Sequence, residues 1–260
     1  MQLQTASVSE VGGRSRNEDA YGEWRHDHLL ACVVADGAGG HGGGDAASRI
    51  VVDTVCAELD RVAAAGLILS APNLMRILLR ANDAIVDAQE AGGGGLEHMR
   101  STAVLLAIDE QAHSAAWAHC GDSRLYCFRN GVTRVQTQDH SLVQSMLDAK
   151  LLERQDVRHH PRRNVLFAAL GTADDLPIAI SGEPFALAEG DAFLLCTDGF
   201  WEYVDEAAMI DAIGRAASPS AWLEWLAARV TDNARPGHDN FTAMAVWIGE
   251  PPQTTILRTR

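Results

Sequence analysis

The chain is 260 residues long and 47% hydrophobic, with 21 Lys and Arg against 35 Asp and Glu, a formal net charge of -14. That length fits one large domain, and the negative charge opposes DNA, RNA and anionic membranes at long range, which argues against nucleic-acid and membrane partners. No apolar run approaches the roughly 20 residues of a membrane helix, and "MQLQTASVSEVGG" has no signal-peptide core, so a cytoplasmic protein is expected.

In chain order, apolar segments rich in Val, Ile, Trp and Tyr predict strands over residues 2–8, 29–35, 101–108, 114–120, 124–129, 132–136, 191–197 and 240–247. Between the second and third, two sets of residues recur at helical spacing: Ala47, Ile50, Val51, Thr54, Val55 and Leu59, then Leu74, Ile77, Leu78, Ala81, Ile85 and Ala88. "AGGGG" at 91–95 reads as a flexible connector. Asn130-Gly131 predicts a tight hairpin, because both central residues of that turn need positive φ. A third helical region covers 205–232, and the Pro-containing tail 249–260 is expected to hang off a single domain spanning 1–248. Cys32, Cys56, Cys120, Cys127 and Cys196 stand singly in apolar stretches, without the paired spacing of zinc or disulfide frameworks, and read as buried small hydrophobes.

The stretch "VVADGAGGHGGGDAAS" (33–48) formally matches G-x-G-x-x-G, which could cradle a dinucleotide. Asp36 would then face the pyrophosphate, and the acid expected at the end of a second strand is missing, since Asp53 and Glu58 fall inside a helix. The hairpin also fits poorly with parallel βαβ units. A recurring pattern is more informative. "CVVADG", "WAHCGDS" and "FLLCTDG" are apolar runs that end in Asp36, Asp122 and Asp198 beside Gly, while "NED" (Glu18, Asp19) and "HDN" (Asp239) precede strands. Gathered at strand ends, such carboxylates repel one another and call for divalent cations with hard oxygen ligands, Mg²⁺ or Mn²⁺ rather than zinc. A single Asp-Gly is ordinarily a turn residue; five instances at strand termini weaken that reading.

"RSRNEDAYG", "VVADGAGGHGGGDAAS", "STAVLLAI", "HCGDSRLYCFRNG", "TQDHSLV", "NVLFAALGT", "FLLCTDGFW" and "GHDNFTAMAVW", in order over residues 5–248, resemble the motifs of metal-dependent serine/threonine protein phosphatases of the type 2C family, bacterial branch. The resemblance implies an α+β fold, a four-layer αββα sandwich of two antiparallel sheets flanked by helices, with a binuclear metal centre at one edge. It assigns Asp36 as the bridge between two metals, Asp198 and Asp239 to the first, and Glu18 with the Gly37 carbonyl to the second. Asp19 would hold metal-bound waters, and Asp122 a third ion shared with Asp198. Arg14 matches the phosphate-binding arginine. The implied reaction is hydrolysis of phosphoserine and phosphothreonine by a metal-activated water, opposing a bacterial Ser/Thr kinase. An inactive phosphoprotein-binding module is the alternative, disfavoured because every metal-ligand position is filled.

Ala38 departs from the family, whose animal members have His and many bacterial members Met after the Asp-Gly. The general acid is therefore unassigned, with His41 and a water on the third metal as candidates; His140 and His238 are expected to order loops beside Asp139 and Asp239. Cys120 in "HCGDSR" is not a phosphatase nucleophile, since the loop is too short and Asp122 would repel phosphate. No G-x-S-x-G elbow supports a serine hydrolase. The stretch 140–171 corresponds to the family's variable flap. Its His159, Arg162 and Arg163, with His160, are basic in an acidic protein and are candidates for receiving phosphorylated segments, beside the alternative of a solvated loop.

Overall fold

A computed structural model describes residues 2–39, 43–66, 68–92, 96–173 and 175–249. Three strands, β1 (Leu3–Glu10), β2 (Asp19–His26) and β3 (Leu29–Ala38), lead into helices α1 (Gly43–Ala64) and α2 (Ala71–Gly92). There follow β4 (Arg100–Ser101), β5 (Ala103–Asp109), β6 (Ser114–Cys120), β7 (Arg124–Arg129) and β8 (Val132–Gln136). Helix α3 (Leu142–Asp148) and a short 3-10 helix (Arg154–His159) precede β9 (Ala179–Ile180), β10 (Phe185–Ala186) and β11 (Ala192–Cys196). The last elements are α4 (Asp198–Trp201), α5 (Glu206–Ile213), α6 (Pro219–Asn233) and β12 (Phe241–Ile248).

The strands form two sheets. One runs β1-β12-β11-β7-β8, the other β10-β6-β5-β3-β2, with β4 on β3 and β9 on β6. The pairings between these strands are antiparallel.

Why these strands read as continuous apolar runs is plain from β12, whose eight residues are all buried. Phe241, Ala243, Ala245 and Trp247 pack under α5 and α6 with Trp222, Leu226 and Val230. Met244, Val246 and Ile248 point the other way, against Leu30, Val34, Leu106 and Phe193 of the inter-sheet core. In β3, Ala31, Val33 and Ala35 meet Val51, Val55, Leu74 and Leu78 of α1 and α2. A sheet with both faces covered needs apolar side chains at every position, and each large one buried stabilises the fold by about 1.5–3 kcal/mol. The result is helices, sheet, sheet, helices: the four-layer α+β sandwich.

Some elements differ from expectation. Strand β3 runs on to Ala38, so Asp36 and Gly37 lie within the strand rather than beyond its end. The helical region expected over 205–232 is two helices, each with its own cap: Asp205 accepts from the Ala208 amide, Ser218 from the Ala221 amide, and Pro219 opens α6. Strand β2 is an edge strand whose largely exposed "YGEWRH" lacks the apolar content that marked the others. Asn130 and Gly131 have φ of 53° and 72°, the turn their sequence predicts. Ala91 and Gly92 of the expected connector belong to α2; Gly93–Gly95, His41 and the tail beyond Gly249 lie outside the described residues.

Candidate active site

The acids converge where the strand ends of both sheets meet. Asp36 on β3 stands directly opposite Asp19 on β2 in the antiparallel register. Asp198 opens α4 two residues after β11, and Asp239 lies two residues before β12. Asp122 sits in the β6–β7 turn after Gly121, whose φ is 99°. One pocket of about 780 Å³ is lined by Arg14, Glu18, Asp36, Gly37, Asp122, Asp198 and Asp239, together with Asn164 and Leu166. Asp19 is not among the lining; its Oδ2 accepts from Thr197 Oγ1 at 3.0 Å. Arg14 Nη2 donates to Asp239 Oδ2 at 2.8 Å.

Burial and crowding push these carboxyls up. Desolvation, then the charges of Asp19 and Asp198, raise Asp36 well above the usual carboxylate range. Asp122 is likewise raised by burial and by Asp198. Burial lifts Asp19 to about 7, against the hydrogen bonds of Thr242 and Thr197. Burial and Asp239 lift Asp198 to about 6, and contact with the Asp36 carboxyl, with which it can share a proton, partly counters this. Glu18 is raised by burial and by Asp45 and Asp239. Acids held this way are high in energy as anions unless a cation joins them.

The pocket fits divalent ions on three observations. Asp198 Oδ1 is buried without a hydrogen-bond partner. A Cβ on Gly44, at the start of α1, would lie 2.7 Å from both the Glu18 carboxyl carbon and the Gly37 oxygen, so these two oxygen donors share one small space. A Cβ on Gly37 would fall 1.9 Å from Gly44 O, so the strand and helix backbones can come this close only through glycine. Among the described residues no three acidic, imidazole or thiol side chains are already drawn into a closed ligand group. Asp239 is turned to Arg14 and Asp19 to Thr197, as mutual repulsion favours.

His159, Arg162 and Arg163 are not among the pocket's lining; Asn164 and Leu166 are. His159 and Arg162 are exposed. Arg163 is held by Glu202 at 2.7 Å, although its charge still lowers Asp198. His140 and His238 do order loops. His140 Nδ1 accepts from the Gly121 amide at 3.2 Å, and His238 Nδ1 meets Asp239 O at 3.0 Å. Burial pushes the Cys120 thiol up to about 12, which removes it as a nucleophile.

Several supporting residues carried no separate sequence signal. Asn240 Oδ1 accepts from the Glu18 amide at 2.8 Å, while its Nδ2 donates to Val11 O and Arg16 O, tying the Arg14 loop to β12. Thr102 Oγ1 accepts from the Asp36 amide and meets Ser123 Oγ. Buried Arg124 makes a bidentate pair with Asp139 at 2.8 Å and lies 3.5 Å over the Trp201 ring, whose Nε1 donates to Asp122 O at 2.9 Å. The Asn in "HDN" and the Thr in "STAV" were in view; that they bond to Glu18 and Asp36 depends on the fold.

Comparison with known proteins agrees with this architecture. The sequence matches the Protein phosphatase 2C family over residues 9–230. It is 31% identical over 242 residues to the serine/threonine phosphatase stp of Listeria innocua, covering 90% of each chain. The structure of the serine/threonine phosphatase PstP/Ppp of Mycobacterium tuberculosis superposes with a TM-score of 0.79 at 26% identity, covering 95% of this chain and 99% of that one. PppA of Pseudomonas aeruginosa, described as a key regulatory component of T6SS, gives a TM-score of 0.73 at 33% identity over 95% and 98% of the two chains. Family match, shared fold and an acid-lined pocket agree: the chain belongs to the type 2C family of metal-dependent serine/threonine protein phosphatases.

Proposed function

We propose that the acidic pocket holds two Mg²⁺ or Mn²⁺ ions, with Asp36 shared, Asp198 and Asp239 on one, and Glu18 and the Gly37 carbonyl on the other. Asp122 adds a third position beside Asp198, and Asp19, anchored by Thr197, supports the water around the pair. The observation that carries this reading is the meeting of Glu18 and the Gly37 oxygen at Gly44, beside Asp36 and the unpartnered Asp198 Oδ1. Bound ions of this class supply a nucleophile from water near neutral pH and offset charge on the phosphoryl oxygens.

The chain's own groups do the rest. Arg14, at the mouth of the pocket, donates to Asp239 and would turn to a bound phosphoryl group, two of whose oxygens its planar fork matches. Asn240 fixes the loop that carries Arg14. Ala38 has no proton to give, so the leaving group draws its proton from a source other than this position. The substrates are cytoplasmic phosphoserine and phosphothreonine proteins, the products of a Ser/Thr kinase that this enzyme opposes.

The test is hydrolysis of p-nitrophenyl phosphate and of a phosphothreonine peptide with Mn²⁺, with EDTA, and with Asp198→Asn or Asp239→Asn. Turnover that needs metal and collapses in both variants supports the assignment. Absence of turnover by folded, metal-loaded protein would favour a phosphoprotein-binding module instead.

A further inference from the structure

A second cavity, of about 150 Å³, opens between the end of β8, α3, the 3-10 helix and the start of α5. Three guanidiniums line it, those of Arg124, Arg154 and Arg158, with Gln136, Gln144 and Glu206. In a chain of net charge -14 this is a local reversal of sign. Asp139 is bound to Arg124 and Glu206 to Arg158, while the Asp148 carboxylate accepts from the lining Gln144. Arg154 Nη1 reaches Gln136 Oε1 at 3.4 Å, a weak contact with a neutral group.

Arg158 is the informative residue. Its Nη2 donates to Glu206 Oε1 at 2.7 Å, while its Nη1 is buried with no hydrogen-bond partner. A buried charged donor without an acceptor is costly, and a fold that keeps one usually offers it to something from outside. We propose that this cavity is a second anion site that takes one tetrahedral phosphoryl group on Arg158 and Arg154. Its volume equals about five waters, enough for five heavy atoms of a phosphoryl group. Guanidinium forks present paired N–H groups to phosphoryl oxygens, and the Gln136 amide adds a neutral donor at another angle, while Gln144 Nε2 donates to Asp148 Oδ1 at 2.8 Å. Glu206 lowers the affinity and excludes weaker anions.

The occupant is either free inorganic phosphate or a second phosphorylated residue of a bound substrate; this choice of sources rests on the phosphatase reading, whereas the site itself does not. Occupancy also reaches the acidic pocket. Arg124 lies 3.5 Å over Trp201, Arg158 lies 5.8 Å from the same ring, and Trp201 Nε1 donates to Asp122 O.

Calorimetric titration of the Mg²⁺-loaded protein with inorganic phosphate tests the site. Two binding events are expected in the wild type. Arg158→Gln should remove one, and Arg154→Gln, at an exposed position that does not threaten folding, should weaken it about tenfold. Competitive inhibition of p-nitrophenyl phosphate hydrolysis by phosphate should persist in both. Unchanged stoichiometry and affinity in folded Arg154→Gln and Arg158→Gln would overturn the proposal. A doubly phosphorylated peptide then separates the sources. A kcat/KM advantage over the singly phosphorylated peptide that disappears in Arg154→Gln assigns the site to substrate; two phosphate-binding events without that advantage assign it to the free ion. Loss of the phosphate event in Arg158→Gln, with its weakening in Arg154→Gln, in a protein with no turnover would sink the catalytic reading and leave this one standing.

Discussion

Arg14 and Asp239 are 225 residues apart in sequence, yet Arg14 Nη2 donates to Asp239 Oδ2 at 2.8 Å across the mouth of the acidic pocket. Both side chains remain substantially exposed, 53% and 40%, so the pair contributes little to stability. Arg14→Gln should leave Tm nearly unchanged and lower kcat/KM for phosphopeptides by about 10–100-fold, the worth of a hydrogen bond to a charged group. A fall in kcat/KM below threefold would remove Arg14 from phosphate binding.

Asp198→Asn replaces an acid that is held up by burial and by Asp239 with a neutral isostere. Repulsion within the metal-free pocket falls, so thermal stability in EDTA should rise, while activity with Mn²⁺ drops by about 10²–10³-fold. Opposite shifts in stability and turnover from one substitution mark a ligand rather than a structural acid. Equal losses in both would point to a structural role.

The pH dependence of metal-free stability has a defined sign. Asp19 and Asp198 sit at about 7 and about 6 in the fold and return to about 3.8 when it opens. Below that ordinary value both states hold the protons and these groups have no effect. Above it the unfolded chain ionises while the fold does not, so stability falls as pH climbs toward 7. Melting in EDTA should therefore show Tm falling between pH 5 and pH 7.5 as these two groups ionise, with Mg²⁺ restoring most at the upper end. A rising Tm over that range in EDTA would contradict the raised carboxyls.

Gly37→Ala sets a methyl group 1.9 Å from Gly44 O and 2.7 Å from Glu18 O. Backbone must move, at a cost of about 1–3 kcal/mol for overpacking. The movement separates the Gly37 oxygen from Glu18. Mn²⁺ affinity, measured by titration against activity and by calorimetry, should weaken in a protein that still folds. Unaltered affinity would exclude the Gly37 carbonyl as a ligand.

Asp139→Asn leaves Arg124, buried under Trp201, without its bidentate partner. Breaking a buried pair from one side costs about 3–5 kcal/mol. Denaturant unfolding should show that loss at unchanged m-value, and the Trp201 contact to Asp122 makes a secondary loss of activity expected.

What the sequence disclosed follows from which forces are local. Strands such as β3 and β12 were legible because burial on both faces leaves a continuous apolar run. Acids were legible because Asp36, Asp122 and Asp198 repeat one pattern at strand ends. Edge strand β2 was signalled only by the acids of "NED", since its polar side chains give no apolar run, and the break between α5 and α6, from Gly214 to Ser218, fell inside one expected helical region. Contacts of Asn240 with Glu18, or of Thr197 with Asp19, join segments 222 and 178 residues apart and have no local signature. The partners of the flap's basic residues had no local signature either. Charge is visible in sequence, but that Arg163 is claimed by Glu202 and Arg158 by Glu206 is decided by packing.

The pairing of β1 with β12 has a consequence in time. Leu3 faces Ile248 and Glu10 faces Phe241, so the first described strand closes on the last. Asp239 and Asn240 reach the pocket through that closure, which joins distant parts of the chain against the entropy of closing the loop between them. A ribosome-bound chain lacking β12 therefore has Asp36 and Glu18 but no finished centre. Loss of β12 is expected to abolish turnover outright, because Asp239 then has no strand to seat it at the pocket.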